Sequence, residues 1–290
     1  MALRIQPHIS YIDKSFKASH TRSYIMAMQI NLHGLAFTIY HPDRNKFVVL
    51  QQYRFDEKKK PTDYPLVFDL ILNDNPWFAY PYMDFYCLFQ NNFNTLIPLP
   101  LFNKEHKNLY LGFNHPFQEN HRIVFDELKN TGSANVYYLP NPVAEKVKEF
   151  WPNATILHYS TALIESLTVH FKNRMDNQML FMDVHEENFD LVYFKGNRLF
   201  YANNFLFRTK EDFAYFLLSA MEQLALNPED VQLVLLGEMD KNDEKYPLIY
   251  QYIRHIDFIP ENKGFHYSYL MDDVQRHRFF TLFNVLQCEL

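Results

Sequence analysis

Glycine is scarce in this chain, with 6 residues in 290, about 2% against a usual level of about 7%. Loops that wrap a phosphate chain depend on glycine, because their backbone N–H groups converge on the anion at positive φ. Only Gly34, Gly196 and Gly237 fall near strand ends that could serve such loops. Cysteine is scarcer still, and Cys87 with Cys288 gives neither a disulfide framework nor a metal cluster. No metal site is expected. No apolar run approaches the ~18 residues of a membrane span, and the N-terminus lacks a signal peptide's apolar centre. Basic residues are the minority, 28 against 34 acidic, for a formal charge of −6. The one basic run, Lys58-Lys59-Lys60, follows Asp56 and Glu57 and reads as a solvated loop. Without a clustered positive face, no nucleic-acid partner is expected. The expected location is cytoplasmic.

What is abundant is aromatic, with 28 Phe and 20 Tyr, which reads as thick aromatic cores. The stretch 178–207 predicts three consecutive antiparallel strands. Residues 179–182 are an unbroken apolar run, as in a strand covered on both faces, and they end in a polar knot at 183–188. Phe189, Leu191 and Tyr193 then alternate with Asp190 and Val192 up to the turn Lys195-Gly196-Asn197, where positive φ is tolerated. A third strand follows over 199–205. Thr209, with Asp212 three residues later, opens a helix carrying Phe213, Phe216, Leu217, Ala220 and Leu224 on one face. A strand at 231–236, a helix at 243–253 and a strand at 256–259 complete this half.

The first half shows the same spacing. Strands are predicted at 24–31, 35–41 and 47–55, then a long loop over 57–75 with a small element at 66–72. Tyr82, Phe85, Tyr86, Phe89 and Phe93 fall at helical spacing after Pro81 and predict a helix. Strands at 95–97 and 136–139, a helix from Pro142 to Phe150 capped by Asn141, a strand at 154–157 and a helix at 160–171 lead into the second half. A last helix is predicted over 276–287, crossing back to the first half. Two copies of strand-strand-strand-helix-strand-helix-strand give an α/β protein of two RNase H-like domains, 1–173 and 174–290. Each has a mixed five-stranded sheet flanked by helices.

On these residues the chain resembles the actin-like ATPase superfamily, which includes actin, sugar kinases and chaperone ATPase domains. More narrowly, it resembles a bacterial domain family of unknown function assigned to that fold. The narrower likeness rests on Leu32-His33-Gly34-Leu35-Ala36-Phe37, Thr95-Leu96-Ile97-Pro98, Leu111-Gly112-Phe113-Asn114-His115 and the ending Cys288-Glu289-Leu290. Set against the superfamily's nucleotide loops, the frame survives at Asp183, Phe189 and Asp190, while His185, Glu186 and Glu187 stand where glycines would be. The first phosphate loop, Asp-x-Gly in the superfamily, reads Asn31-Leu32-His33, with Gly34 one place late. The paired glycines of the adenosine loop become Gly237-Glu238.

The resemblance therefore implies a nucleotide fold with altered loops. A triphosphate beside Glu186 and Glu187 meets like charge, at up to about 4 kcal/mol per contact for an effective dielectric near 20. A turn without glycine also lacks the backbone nest that would offset this cost. The expected function is a non-catalytic, pseudo-ATPase module that binds a protein partner or associates with itself, with no cofactor. The alternative is a working ATPase or small-molecule kinase that uses ATP and Mg²⁺. Its cofactor-binding residues would then be Asn31, His33, Gly34, Asp183, His185 and Gly237, with Asp183 handling the metal or water. A third reading, a two-metal phosphodiesterase, draws on Asp183, Glu186, Glu187 and Asp190; a solvated hairpin tip is the plainer account of them. His33, His158 and His185 read as polar loop residues rather than ligands, since no zinc spacing is present.

Overall fold

A computed structural model describes residues 5–172 and 178–288. The chain forms two compact units. One takes the described residues of Met1–Ser166, Lys263–Val274 and Thr281–Leu290; the other takes those of Leu167–Asn262 and Gln275–Phe280. The boundary expected at 173/174 lies outside the described residues.

In the first unit, β1 (Ile9–Ile12), β2 (Ile25–Asn31), β3 (Gly34–His41) and β4 (Lys46–Arg54) are followed by α1 (Tyr64–Asp74), β5 (Asp84–Phe89) and β6 (Asn94–Pro98). Next come α2 (Lys107–Asn114), β7 (His121–Leu128), β8 (Ser133–Pro140), α3 (Asn141–Phe150), β9 (Thr155–His158) and α4 (Tyr159–His170). The second unit holds β10 (Gln178–Val184), β11 (Asn188–Lys195), β12 (Arg198–Leu206), α5 (Lys210–Gln223), β13 (Gln232–Gly237), α6 (Tyr246–Tyr250) and β14 (His255–Phe258). The chain then returns to the first unit with β15 (His266–Tyr267) and, after a 3-10 turn at Arg276–Phe279, α7 (Phe280–Asn284).

Both units contain the same five-strand path. It runs β4-β3-β2-β5-β9 in the first unit and β12-β11-β10-β13-β14 in the second. In each, a three-strand antiparallel meander is continued by two parallel strands. The first sheet is widened to seven strands by β1 and β15, both paired to β4. A separate three-stranded sheet, β6-β8-β7, is inserted between β5 and β9 and packs Val136 and Tyr138 against Leu111 of α2.

Burial explains the strands. Met26, Met28, Ile30, Phe37 and Ile39 share a core with Val67, Phe68 and Ile71 of α1 and with Val143 and Val147 of α3. Trp151, just after α3, stacks on Phe85 with ring centroids 4.2 Å apart and planes at 10°. In the second unit, Leu180, Met182, Leu191, Leu233 and Leu235 pack against Phe213, Leu217 and Met221 of α5.

Four expectations need correction. The segment predicted as a helix over 82–93 is β5, a strand between β2 and β9. Phe85 and Phe89 are four apart, a separation that fits both helical and alternating patterns. The sheet wins because Phe85, Cys87 and Phe89 all enter the core beneath α1 and α3. The small element expected at 66–72 within a long loop over 57–75 is the core of the 11-residue α1, which takes up most of that loop and whose Pro65 stands in the first turn, where its missing N–H costs nothing. The C-terminal helix expected over 276–287 is broken into a 3-10 turn, α7 and a second 3-10 turn, Val285–Gln287. β7 was not anticipated, and Asn141 is the first residue of α3 rather than its cap.

Candidate functional site

Asn31, His33 and Gly34 sit on the β2–β3 turn of the first unit. Asn31 Oδ1 accepts the His33 N–H at 2.9 Å, and Asn31 Nδ2 donates to Gln90 Oε1 at 3.1 Å. The Tyr64 hydroxyl donates to the Asn31 carbonyl. The turn's own carbonyls are engaged as well: Phe55 N–H donates to His33 O at 2.9 Å and Lys59 N–H to Leu32 O at 2.8 Å. A Cβ on Gly34 would stand 2.5 Å from the Tyr53 carbonyl oxygen. The missing side chain thus serves the approach of β3 to β4. Gln90 was not legible as Asn31's partner while its segment read as helix.

Asp183, His185 and Gly237 come together in the second unit. Asp183 on β10 lies directly opposite Asp190 on β11. Like charges facing across a ladder repel, and His185 relieves this. Its Nε2 is 3.2 Å from Asp190 Oδ2 and 3.8 Å from Asp183 Oδ1. All three side chains are buried. Burial alone would depress the imidazole pKa, but Asp183, Asp190 and Glu238 outweigh it and raise the pKa above its ordinary value.

Gly237 closes β13 with φ +75°, and its N-terminal neighbours run parallel to β10. A Cβ there would lie 2.2 Å from Val184 O and 2.4 Å from Asp183 Oδ1. The next residue, Glu238, donates its N–H to Val184 O at 2.7 Å. The room left by this glycine is therefore filled by the chain's own strand and carboxylate. Glu186 is exposed and Glu187 half-buried on the β10–β11 turn. Among the described residues, no group of three or more His, Cys, Asp or Glu side chains is placed to hold a metal ion.

One polar cluster escaped the sequence. In the first unit, Asp126 on β7 is buried and accepts three hydrogen bonds. The Tyr137 hydroxyl donates to Oδ1 at 3.1 Å; the His158 N–H and the Thr161 hydroxyl donate to Oδ2 at 2.9 and 2.8 Å. Asn135 donates to Thr161 at 3.0 Å and extends the network. Burial pushes the Asp126 carboxyl up to about 6, against the pull of its three donors. His158, expected on a loop, ends β9 and is fully buried. Nothing in the pattern of β7 singled out Asp126, because its partners come from β8, β9 and α4.

Among the described residues, no helix is long and apolar enough to cross a membrane. A family model described as a protein of unknown function, DUF3822, matches residues 13–256. No curated protein matches the sequence. Among solved structures, the chain is similar to a Bacteroides thetaiotaomicron protein of unknown function described as having an actin-like ATPase fold. The TM-score is 0.77 at 21% identity, covering 84% of this chain and 93% of that one. It is also similar to a chain of the PilM–PilN type IV pilus biogenesis complex, with a TM-score of 0.59 at 12% identity over 92% of this chain and 98% of that one. At these identities the likeness is one of fold, and the fold is that of the actin-like ATPases.

Proposed function

The chain belongs to the DUF3822 family of unknown function, and from its loops we propose that it is a non-catalytic, pseudo-ATPase member of the actin-like fold that works by binding protein. One observation carries this reading. The side-chain-free space at Gly237, where a fold of this kind would admit a ligand, holds the Asp183 carboxylate and the β10 backbone. Asp183 belongs with His185 and Asp190 to a buried cluster beside Glu238 in which three carboxylates outnumber one imidazole, so an incoming triphosphate meets net negative charge rather than converging N–H groups. On the β2–β3 turn, Asn31 is held by His33, Gln90 and Tyr64. These contacts favour the reading without ATP, because the turn's polar groups already have partners within the chain.

The protein-binding half of the reading is supported by the pilus relative, whose structure is a complex. A bacterial cytoplasm is the proposed setting, in keeping with the Bacteroides relative. Isothermal titration of the full chain with ATP and Mg²⁺ tests the reading. No saturable heat is expected; a dissociation constant in the micromolar range would overturn it and restore the ATPase or kinase alternative.

A further inference from the structure

The insert carrying β6–β8 presents an apolar surface that nothing among the described residues covers. Phe113 is 89% exposed, Phe117 77%, Leu101 71% and Leu109 69%, all within 101–117. Leu109 and Phe113 are four apart on α2 and share its outward face, while Leu111 on the inward face is fully buried. Leu101 adjoins the helix, because the Tyr110 hydroxyl donates to its carbonyl at 2.8 Å.

Between Leu109 and Phe113 sits Gly112. Glycine is the poorest helix former after proline, and here the fold offers no reason for it. A Cβ at this position would meet nothing within 4 Å, and its φ is not left-handed. The result is a hole on the outward face of a helix, immediately beside a projecting phenylalanine.

We propose that this face of α2 binds a second copy of the same chain, two α2 helices crossing antiparallel about a two-fold axis near Gly112. The inference rests on the protein-binding reading above and names its partner. Three features favour a second copy. Hole and knob are adjacent on one face, so a two-fold axis fills both at once: each Phe113 passes the other copy's Gly112 and meets its Leu109. The exposed residues of α2 from Asn108 to Asn114 carry no charge. Lys104, Glu105 and Lys107 stand at the N-terminal end of the helix, outside this stretch, so two copies of a chain with net charge −6 meet over it without like charges face to face. The apolar area reaches the lower end of what a specific dimer needs. The exposed parts of two phenylalanines and two leucines present on the order of 600 Å². Two such faces would bury about 1,200 Å² in total, the lower bound of a standard interface.

Sedimentation equilibrium of the full chain is expected to show a monomer–dimer equilibrium. Phe113→Asp should raise the dimer dissociation constant by about 100-fold without changing the circular dichroism of the monomer. Gly112→Ala separates packing from folding: it should raise the melting temperature of the dilute monomer and still weaken the dimer. A chain that stays monomeric at about 1 mM overturns the inference, as does a dimer that both variants leave intact. Titration with ATP and Mg²⁺ reads the other proposal independently. A monomer that ignores ATP leaves the pseudo-ATPase reading standing, whereas a chain that binds ATP loses that reading in either oligomeric state.

Discussion

Asp183 occupies the space beside Gly237: a Cβ built on the glycine would lie 2.4 Å from Asp183 Oδ1. The glycine is thus required by the chain's own packing, where β13 ends against β10. The same glycine that makes the chain look like a nucleotide binder supports a buried Asp183–His185–Asp190 arrangement.

Gly237→Ala should accordingly be costly. The side chain would meet Val184 O at 2.2 Å and the backbone would keep φ near +75°. Overpacking and strain together predict a loss of about 2–4 kcal/mol in urea unfolding. Gly132 is the control, since it has φ +65° but open space around its Cβ position. Gly132→Ala should cost only the strain, about 1 kcal/mol. Equal costs would show that the contact with Asp183 and β10 is not tight.

His185 should make stability fall as the solution becomes alkaline. Its folded pKa lies above the ordinary 6.5 despite burial, because Asp183, Asp190 and Glu238 favour the imidazolium. A group with a raised folded pKa contributes its full stabilisation below the unfolded value and loses it as pH rises through the folded value. The stability difference between the wild type and His185→Asn should therefore shrink from pH 6 upwards, in urea melts at successive pH values. In an NMR titration, Asp190→Asn should bring the His185 midpoint down. A midpoint at or below 6.5 in the wild type would contradict the arrangement.

Much of this fold was legible because its signals are local. The meander strands follow from alternation and short turns, and Thr209 with Asp212 marks the start of α5, where the structure has a capping box. β5 was misread because Phe85 and Phe89 suit either period and only the sheet beside them decides. The candidate site was legible residue by residue but not as geometry. His185 and Asp183 stood out, yet their joint burial depends on Gly237, whose strand lies far along the chain. Asp126 was invisible because its three donors come from three separate elements.

The cap of α5 gives a local test of such a signal. Thr209 accepts the Asp212 N–H at 3.0 Å, and the Asp212 carboxylate accepts the Thr209 N–H at 3.2 Å. Thr209→Ala should destabilise the chain by about 1 kcal/mol, read as a lower urea midpoint at unchanged slope. Thr209→Ser should retain most of the stability. No difference between the two variants would mean that the packing of Phe213 and Leu217 alone holds the helix start.

Asp126 should give the opposite of the usual acid response. Its carboxyl has an ordinary pKa of 3.8 and is pushed up to about 6 by burial in the folded chain. The folded state therefore holds the proton more tightly than the unfolded state does. Its contribution is fully present below pH 3.8 and is lost as pH rises through about 6. Two pKa units correspond to about 3 kcal/mol. Other carboxylates move stability the other way over this range, so the measurement is the difference between the wild type and Asp126→Asn. Asparagine keeps the shape but turns an N–H₂ towards one of the three donors, a cost that does not vary with pH. The wild type should lose stability relative to Asp126→Asn between pH 4 and pH 6. A difference that stays flat across this window would mean that Tyr137, His158 and Thr161 hold the carboxylate ionised throughout, and that their hydrogen bonds outweigh its burial.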